Sequence, residues 1–376
     1  MNNLHISLTE LRNESRVIKE VTSIEGADFF TKIYIASFHG DGILESESVT
    51  DNIQINRFKL KTRKLGKTFF IRSIKYFEFI LRILFFYSNK NISVINVHSL
   101  GLLPLGYVYS KIWNTKIVYD AHELETETNG LSGFKKKVLK IIEKVLIKKV
   151  DGIVVVSEKI ADWYENEYDI ERPKVVLNTP CISEIEKNNY FRKNFSISDK
   201  SKIFIYQGAL FRGRGIELII ETFKERQDNR AVIVFMGYGE LDKEIKHAAD
   251  ISANIFYHQA VPSDVVHKYT ASADVGVSLI ENTCLSYYYC MPNKLFEYAM
   301  AGLPVVVSNM PEMSDFILKH NMGLVIGESS IISLNEVVDK LLNMNIDLLS
   351  ENSRKAALLN SWETQREQYL SIYSKF

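Results

Sequence analysis

Short β-branched runs separated by helix-length segments recur along most of this chain, and that alternation limits what it can become. Runs at 32–36, 94–97, 116–119, 152–156 and 174–177 are followed by a polar, aperiodic stretch from 179 to about 200. The rhythm restarts with runs at 203–207, 231–236, 254–257, 275–279, 304–307 and 323–325. Strands spaced by helices read as βαβ units, hence parallel sheets covered on both faces. Two such series, broken near residue 180, predict two Rossmann-like α/β domains facing a cleft, over 1–180 and 181–359. With 376 residues, 46% apolar and 24% charged, each half can bury its own core.

Charge and cysteine usage exclude several classes. Lysine plus arginine and aspartate plus glutamate both number 46, so no global charge announces a nucleic-acid binder. Three scattered cysteines, Cys181, Cys284 and Cys290, form no CxxC pair. They fit neither a disulfide framework nor a structural zinc site, and suit a reducing cytosol. The N-terminus MNNLHISLTELRNESRV carries charge where a signal peptide is apolar. The most apolar run, 77–87, is too short to span a bilayer and contains Arg82.

Two basic amphipathic segments lie in the first half. Residues 57–90 hold ten Lys or Arg and one acid, Glu78. Phe70, Ile74, Phe77, Leu81 and Leu84 share one helical face, and Lys67, Arg72, Lys75 and Arg82 lie elsewhere. In the helix predicted over 133–150, Val138, Ile141, Ile142 and Val145 share a side, and Ser132 is placed to cap it. Such helices suit an anionic membrane surface; an ordinary surface helix with a solvated lysine face is the plainer reading of either alone. The last segment, 350–376, reads as helical, with Trp362, Arg366, Tyr369, Tyr373 and Phe376 on one stripe that has to dock.

Three stretches of the second half carry ligand chemistry. MPNKLFEYAMAGLPVVVS (291–308) reads as Pro292 opening a helix that Gly302 ends before a buried strand. A helix start suits a phosphate, Lys294 adds a charge, and Glu297 can accept two hydroxyl hydrogen bonds. YQGALFRGRGIE (206–217) is a strand end followed by Gly208, Gly213 and Gly215 with Arg212 and Arg214. Glycines let backbone approach an anion, and arginines grip it. Gly237 follows a third strand. In the first half, Asp120, His122 and Glu123 follow the strand at 116–119, and His98 follows that at 94–97.

These stretches resemble the retaining glycosyltransferases of family 4, with the GT-B fold. The resemblance rests on YQGALFRGRGIELIIETF, IVFMGYGELDKEI, the ASADVGVSL region and above all PNKLFEYAMAGLPVVVS; in the first half it rests on VYDAHELETE. It implies a nucleotide-diphosphate sugar, such as a UDP-sugar, held by the second domain through Gly208, Arg212, Arg214, Gly237, Asn293, Lys294, Leu295 and Glu297. Glu297 takes the ribose hydroxyls and Arg214 the pyrophosphate. The family's arginine partner falls on Ala209, with Arg212 as substitute, and the first glutamate of its pair falls on Tyr289, leaving Tyr289 or Glu281 as sugar contact. His122 meets the transferring sugar, with Asp120 or Glu123 orienting it. Arg12, Arg16 and His98 are offered as an acceptor or phosphate loop.

No Asp-x-Asp motif appears at a strand end, so no metal or other cofactor is expected. The implied reaction moves a sugar, with retention, to a hydroxyl of a glycan or lipid-linked acceptor. Its setting would be bacterial surface polysaccharide synthesis (capsule, O-antigen or lipopolysaccharide) on the inner membrane face of the cytoplasm. The final helix, about 360–376, would cross back onto the first domain. A nucleotide-sugar epimerase on the same fold, or a non-catalytic nucleotide-sugar binder, is the alternative.

Overall fold

Strand formation in the first unit starts with a segment whose polar residues hide it. β1 (Asn2–Ile6) buries Asn3 and His5 as fully as Leu4 and Ile6, because it lies mid-sheet with both faces covered. Asn3 is satisfied there, donating to Asn96 Oδ1 at 2.9 Å and to Val94 O at 3.2 Å. The computed structural model describes residues 1–12, 14–66 and 68–376, without the side chains of Phe69 and Phe70. The expectations for Lys67 and for the Phe70 side chain therefore lie outside the described residues.

The chain divides into two compact units, Met1–Val176 with Arg366–Phe376, and Leu177–Gln365. In the first, β1 is followed by α1 (Ser15–Gly26), β2 (Lys32–Phe38), β3 (Ser46–Ser48), β4 (Ile53–Phe58), α2 (Phe69–Tyr87), β5 (Ile92–Val97) and α3 (Leu103–Trp113). Then come β6 (Lys116–Ala121), α4 (Gly133–Leu146), β7 (Gly152–Val155), α5 (Glu158–Tyr168) and β8 (Lys174–Val175). The sheet order is β3-β4-β2-β1-β5-β6-β7-β8. All described pairings are parallel except β3 with β4, an antiparallel edge that the expectation of purely parallel sheets missed. β4 takes Arg57 and Phe58 out of the predicted amphipathic segment.

Helix periodicity locates α2 and α4, and the fold decides which of their faces turns inward. α2 buries Phe79, Ile83 and Tyr87, four residues apart, and leaves Phe77, Leu81 and Phe85 63%, 65% and 85% exposed. α4 buries Glu143 and exposes Ile141 and Val145. The Glu143 carboxylate accepts bonds from Tyr119 (3.0 Å), Tyr164 (2.7 Å) and Tyr168 (2.6 Å), so three hydroxyls hold a buried acid. Ser132 occupies the N-cap position of α4 without a side-chain cap bond, contrary to expectation.

In the second unit α6 (Tyr190–Phe195) precedes β9 (Lys202–Ala209), α7 (Ile216–Glu225), β10 (Ala231–Tyr238), α8 (Asp242–Ile251), β11 (Ile255–Gln259), α9 (Val266–Thr270) and β12 (Val275–Ser278). α10 (Leu285–Tyr288), α11 (Asn293–Met300), β13 (Val305–Val307), α12 (Pro311–His320), β14 (Gly323–Val325), α13 (Ile331–Asn343) and α14 (Asp347–Leu359) follow. The six strands run in the order β11-β10-β9-β12-β13-β14, each pairing parallel. The expected single helix over 350–376 is broken: α14 stops at Leu359 and α15 (Trp362–Leu370) starts after Asn360 and Ser361. Trp362 is buried in the second unit, while Tyr369 and Tyr373 are buried in the first. There Tyr373 packs on the rings of Phe29 and Phe30.

Candidate active site

In an open α/β sheet, ligands collect outside the strand C-termini where the chain reverses its direction of build-up. That point in the second unit lies between β9 and β12. The backbone there is packed too closely for side chains. Gly215, at φ +66°, would put a Cβ 2.5 Å from Leu279 Cβ, and a Cβ on Gly237 would stand 1.9 Å from Gly208 O. α11 is pinned over this point by Tyr298, whose hydroxyl accepts from the Gln207 N–H at 2.9 Å and donates to Val277 O at 3.3 Å.

This frame gathers two cations and an acid. Lys294, on the first turn of α11, sets Nζ 3.5 Å from the centre of the Tyr206 ring. Arg214 lies over Tyr287, its guanidinium carbon 4.9 Å from the ring centre. The Arg214 Nε is buried without a hydrogen-bond partner among the described residues. Burial, and then the Arg214 charge, depress the Lys294 pKa well below the usual lysine value, with Glu297 opposing them. Glu297 accepts a bond from Gln207 Nε2, and Gln207 Oε1 accepts one from Thr270 at 2.6 Å.

The remaining donor candidates are placed as follows. Gly208, next to last in β9, has φ +108°. Arg212 is exposed and its guanidinium pairs with Glu217 at 2.9 Å. Asn293 is exposed at the start of α11, and Leu295 is wholly buried in the core, its N–H given to Pro292 O at 3.1 Å. The Glu281 N–H bonds Gly213 O at 3.0 Å, tying its loop to the glycine-arginine turn. Tyr289 caps α10 with its ring against Tyr288. The sequence reading missed Tyr206, Gln207, Thr270 and Tyr287. Tyr206 and Gln207 stood beside the quoted glycine turn, but only the fold brings Thr270 and Tyr287 to it.

In the first unit the corresponding point lies between β1 and β5. A file of polar groups runs from it: His5 Nδ1 to His98 Nε2 at 2.9 Å, His98 Nδ1 to Asp120 Oδ2 at 3.1 Å, and Asp120 Oδ2 to His122 Nε2 at 3.0 Å. Arg16 clasps both Asp120 oxygens, at 3.1 and 2.9 Å, and also bonds Val176 O. It lies 2.9 Å from Glu20, one helical turn on. Arg16 and His98 are thus buried supports of Asp120 rather than members of an exposed phosphate loop. Arg12 is exposed, bonded to Glu10 and Asp41 O, and Glu123 is exposed. His5 and Glu20 went unnoticed, although Glu20 stands four residues after Arg16, the spacing of helix neighbours.

Burial alone would raise the Asp120 pKa, but Arg16, then His122 and the histidine hydrogen bonds, hold it well below the carboxylate range. Burial and the Asp120 charge push Glu20 well above it. Burial lowers His98, and burial together with His98 lowers His5. In this interior Asp120 is held toward its ionised form against the Arg16 guanidinium, while Glu20, His98 and His5 are shifted toward their neutral forms. Two sets, His98 with Asp120 and His122, and His5 with Glu20 and His98, also have the spacing of metal ligands; Arg16 already occupies both Asp120 oxygens. Beyond β1, β2 and β4 a cavity of about 350 Å³ is walled by Leu8, Phe38, Phe58 and Leu60, with Lys75 among its lining.

Residues 187–358 match the family described as glycosyl transferases group 1, and residues 32–182 match glycosyltransferase family 4. The lipopolysaccharide 1,2-N-acetylglucosaminetransferase of Salmonella typhimurium is 22% identical over 236 residues, 58% of this chain and 60% of that protein. Among solved structures, sucrose-phosphate synthase from Thermosynechococcus elongatus superposes with a TM-score of 0.83 at 13% identity, covering 100% of this chain and 98% of the other. Anabaena HepE in complex with UDP and glucose gives 0.76 at 11% identity, covering all of both chains. The fold is GT-B, and with both halves matched in order the chain is a family-4-like glycosyltransferase.

Proposed function

We propose that the second unit holds a nucleotide-diphosphate sugar through Arg214 and Lys294, and that the enzyme passes the sugar, with retention, to a hydroxyl of a lipid-linked or glycan acceptor. The observation that carries this reading is the pair of cations at the β9/β12 switch point, one with a buried, unpartnered Nε. A buried N–H without a partner costs about 1–3 kcal/mol, a cost that a pyrophosphate oxygen would remove. Glu297, steadied by Gln207, suits the ribose hydroxyls. The two cations would also stabilise the departing diphosphate without a metal ion.

His122 is the group that meets the sugar, and the cavity whose apolar walls Leu8, Phe38, Phe58 and Leu60 stand beside Glu10, His39, Arg63 and Lys75 suits a lipid-linked acceptor. Work on lipopolysaccharide by the Salmonella relative, and the UDP bound to the Anabaena structure, support a UDP-sugar and surface polysaccharide synthesis. Among the described residues no helix is long and apolar enough to cross a membrane. The exposed Phe77, Leu81 and Phe85 support a peripheral association with the inner face of the bacterial membrane, which vesicle co-sedimentation tests.

Calorimetric titration with UDP and other nucleoside diphosphates, with and without EDTA, tests the donor site. Binding should survive EDTA, and Glu297→Ala should weaken it by roughly 1.5–3 kcal/mol, about 10- to 150-fold. His122→Ala should leave nucleotide affinity intact and lower transfer at least about tenfold. A strict need for a divalent metal, or unchanged affinity in Glu297→Ala, would overturn these assignments.

A further inference from the structure

We infer that His122 presents its Nδ1 as a proton acceptor for a substrate hydroxyl, with its tautomer set by a buried positioning assembly of Asp120, Arg16, His98 and His5. The argument follows the hydrogens. Asp120 is held ionised by the guanidinium that binds both its oxygens, and a carboxylate only accepts. Its Oδ2 stands 3.1 Å from His98 Nδ1 and 3.0 Å from His122 Nε2, so each of those nitrogens carries a hydrogen. His98 is buried and neutral, which leaves its Nε2 bare. That atom must accept from His5 Nδ1–H, 2.9 Å away. The His5 Nε2 at the far end is then the bare nitrogen, and it is the one His5 atom buried without a hydrogen-bond partner among the described residues.

The same reasoning settles His122. With Nε2–H directed to Asp120, its neutral ring has the lone pair on Nδ1, and the side chain is 33% exposed while those of His98 and Asp120 are closed off. The hydroxyl of an incoming sugar or acceptor donates to Nδ1. Where that hydroxyl is the acceptor's, its proton passes to Nδ1 as its oxygen bonds the anomeric carbon and the bond from that carbon to the diphosphate breaks, the diphosphate leaving with the electron pair; the imidazolium keeps both hydrogens and the Asp120 charge stabilises it. No group is oxidised or reduced. Asp120 acts through His122, and His98 and Arg16 act through Asp120, so these three are positioning residues.

A metal ion would need the opposite arrangement. His98 Nδ1 and His122 Nε2 are 3.3 Å apart, close enough to share a cation, but both would have to be bare. The guanidinium on both Asp120 oxygens opposes a second cation at that place.

This inference rests on His122 facing substrate, as proposed above, yet the tautomers are readable with no substrate present. In protein carrying ¹⁵N-labelled histidine, long-range ¹H–¹⁵N correlations should show the Nε2–H form for His122 and the Nδ1–H form for His5 and His98, with assignment by single substitutions. His98→Leu, which removes one donor to Asp120, should lower kcat roughly tenfold and move the acid limb of the kcat/KM profile upward, because Asp120 then holds the His122 proton more tightly. His98→Asn restores an N–H near the Nδ1 position and should bring both back toward wild type. A His122 ring in the Nδ1–H form would overturn the inference. So would an unshifted pH profile in a folded His98→Leu, or stoichiometric Zn²⁺ binding that His98→Leu abolishes. Inactivity of His122→Ala without these signatures would leave the transferase reading standing and remove only the assembly.

Discussion

Lys294 and Glu125 show what burial does to single charges beside a site. The Lys294 pKa is depressed by burial and by Arg214, so at pH values between that lowered pKa and the ordinary lysine value near 10.5 the empty site holds a neutral amine. A diphosphate brings negative charge and draws the proton back. Nucleotide binding should therefore take up a proton, more so toward alkaline pH, as read by calorimetry in buffers of different ionisation enthalpy; Lys294→Arg, always charged, should abolish the uptake. Glu125, in the loop that carries His122, is pushed up to about 7, chiefly by burial, then by Glu123 and Glu143, with His122 opposing. Its acid form is favoured in the folded state, so stability should fall as pH rises from the unfolded value of 4.5 to about 7 and level off above. Glu125→Gln should remove that slope and gain on the order of 2–3 kcal/mol at pH 8, measured by denaturant unfolding. Lys294, Arg214, Glu297, Asp120 and His122 stood out as candidates in sequence because they lie in or beside a strand end, the glycine-arginine turn or a short helix. His5 did not, since an isolated polar residue in an apolar run gives no sign of its partner 93 residues away, and Glu20, four residues after Arg16, read as an ordinary helix neighbour.

Among the elements, α2 and α4 show how far periodicity reaches. A 3.6-residue repeat says that a helix has an apolar face, and it cannot say which of two apolar faces the sheet takes. In α2 the sheet takes Phe79, Ile83 and Tyr87; in α4 the tyrosine cluster takes Glu143. What remains outside is apolar beside basic: Phe77, Leu81 and Phe85 on α2, Val108 and Ile112 on α3, and Phe134, Ile141 and Val145 on α4, which packs beside α3. Each cation near an anionic bilayer adds about 1 kcal/mol, and inserted aromatics add to that. Replacing Phe77, Leu81 and Phe85 together with Ser should leave the melting temperature within a few degrees, because these side chains are already in water, and should reduce co-sedimentation with anionic vesicles at least about tenfold. Equal binding by the variant, or none by the wild type at low salt, would remove the membrane reading.

For the whole molecule, the two βαβ series and the polar break near 180 anticipated two units, and the division lies at Val176/Leu177. The family resemblance implied that about 360–376 would return to the first domain. Residues 366–376 belong to the first unit, where Tyr369, Ile372 and Tyr373 are nearly inaccessible and Asn96 donates to Tyr373. Burying three such side chains contributes on the order of 5 kcal/mol. A chain stopped at Gln365 should therefore unfold its first unit well below the wild-type temperature in calorimetry; an unchanged profile would show the segment to be dispensable. Sequence alone determined the helix and strand rhythm, the glycine-arginine turn and the helix start of the proposed donor region, because local spacing and backbone preference write these within a dozen residues. Only the tertiary structure decided which helix faces point inward, that Arg16 serves Asp120, and how four histidine and carboxylate side chains line up, because those follow mainly from contacts between different elements, from 21 to 104 positions apart, and spacing along a chain carries no record of them.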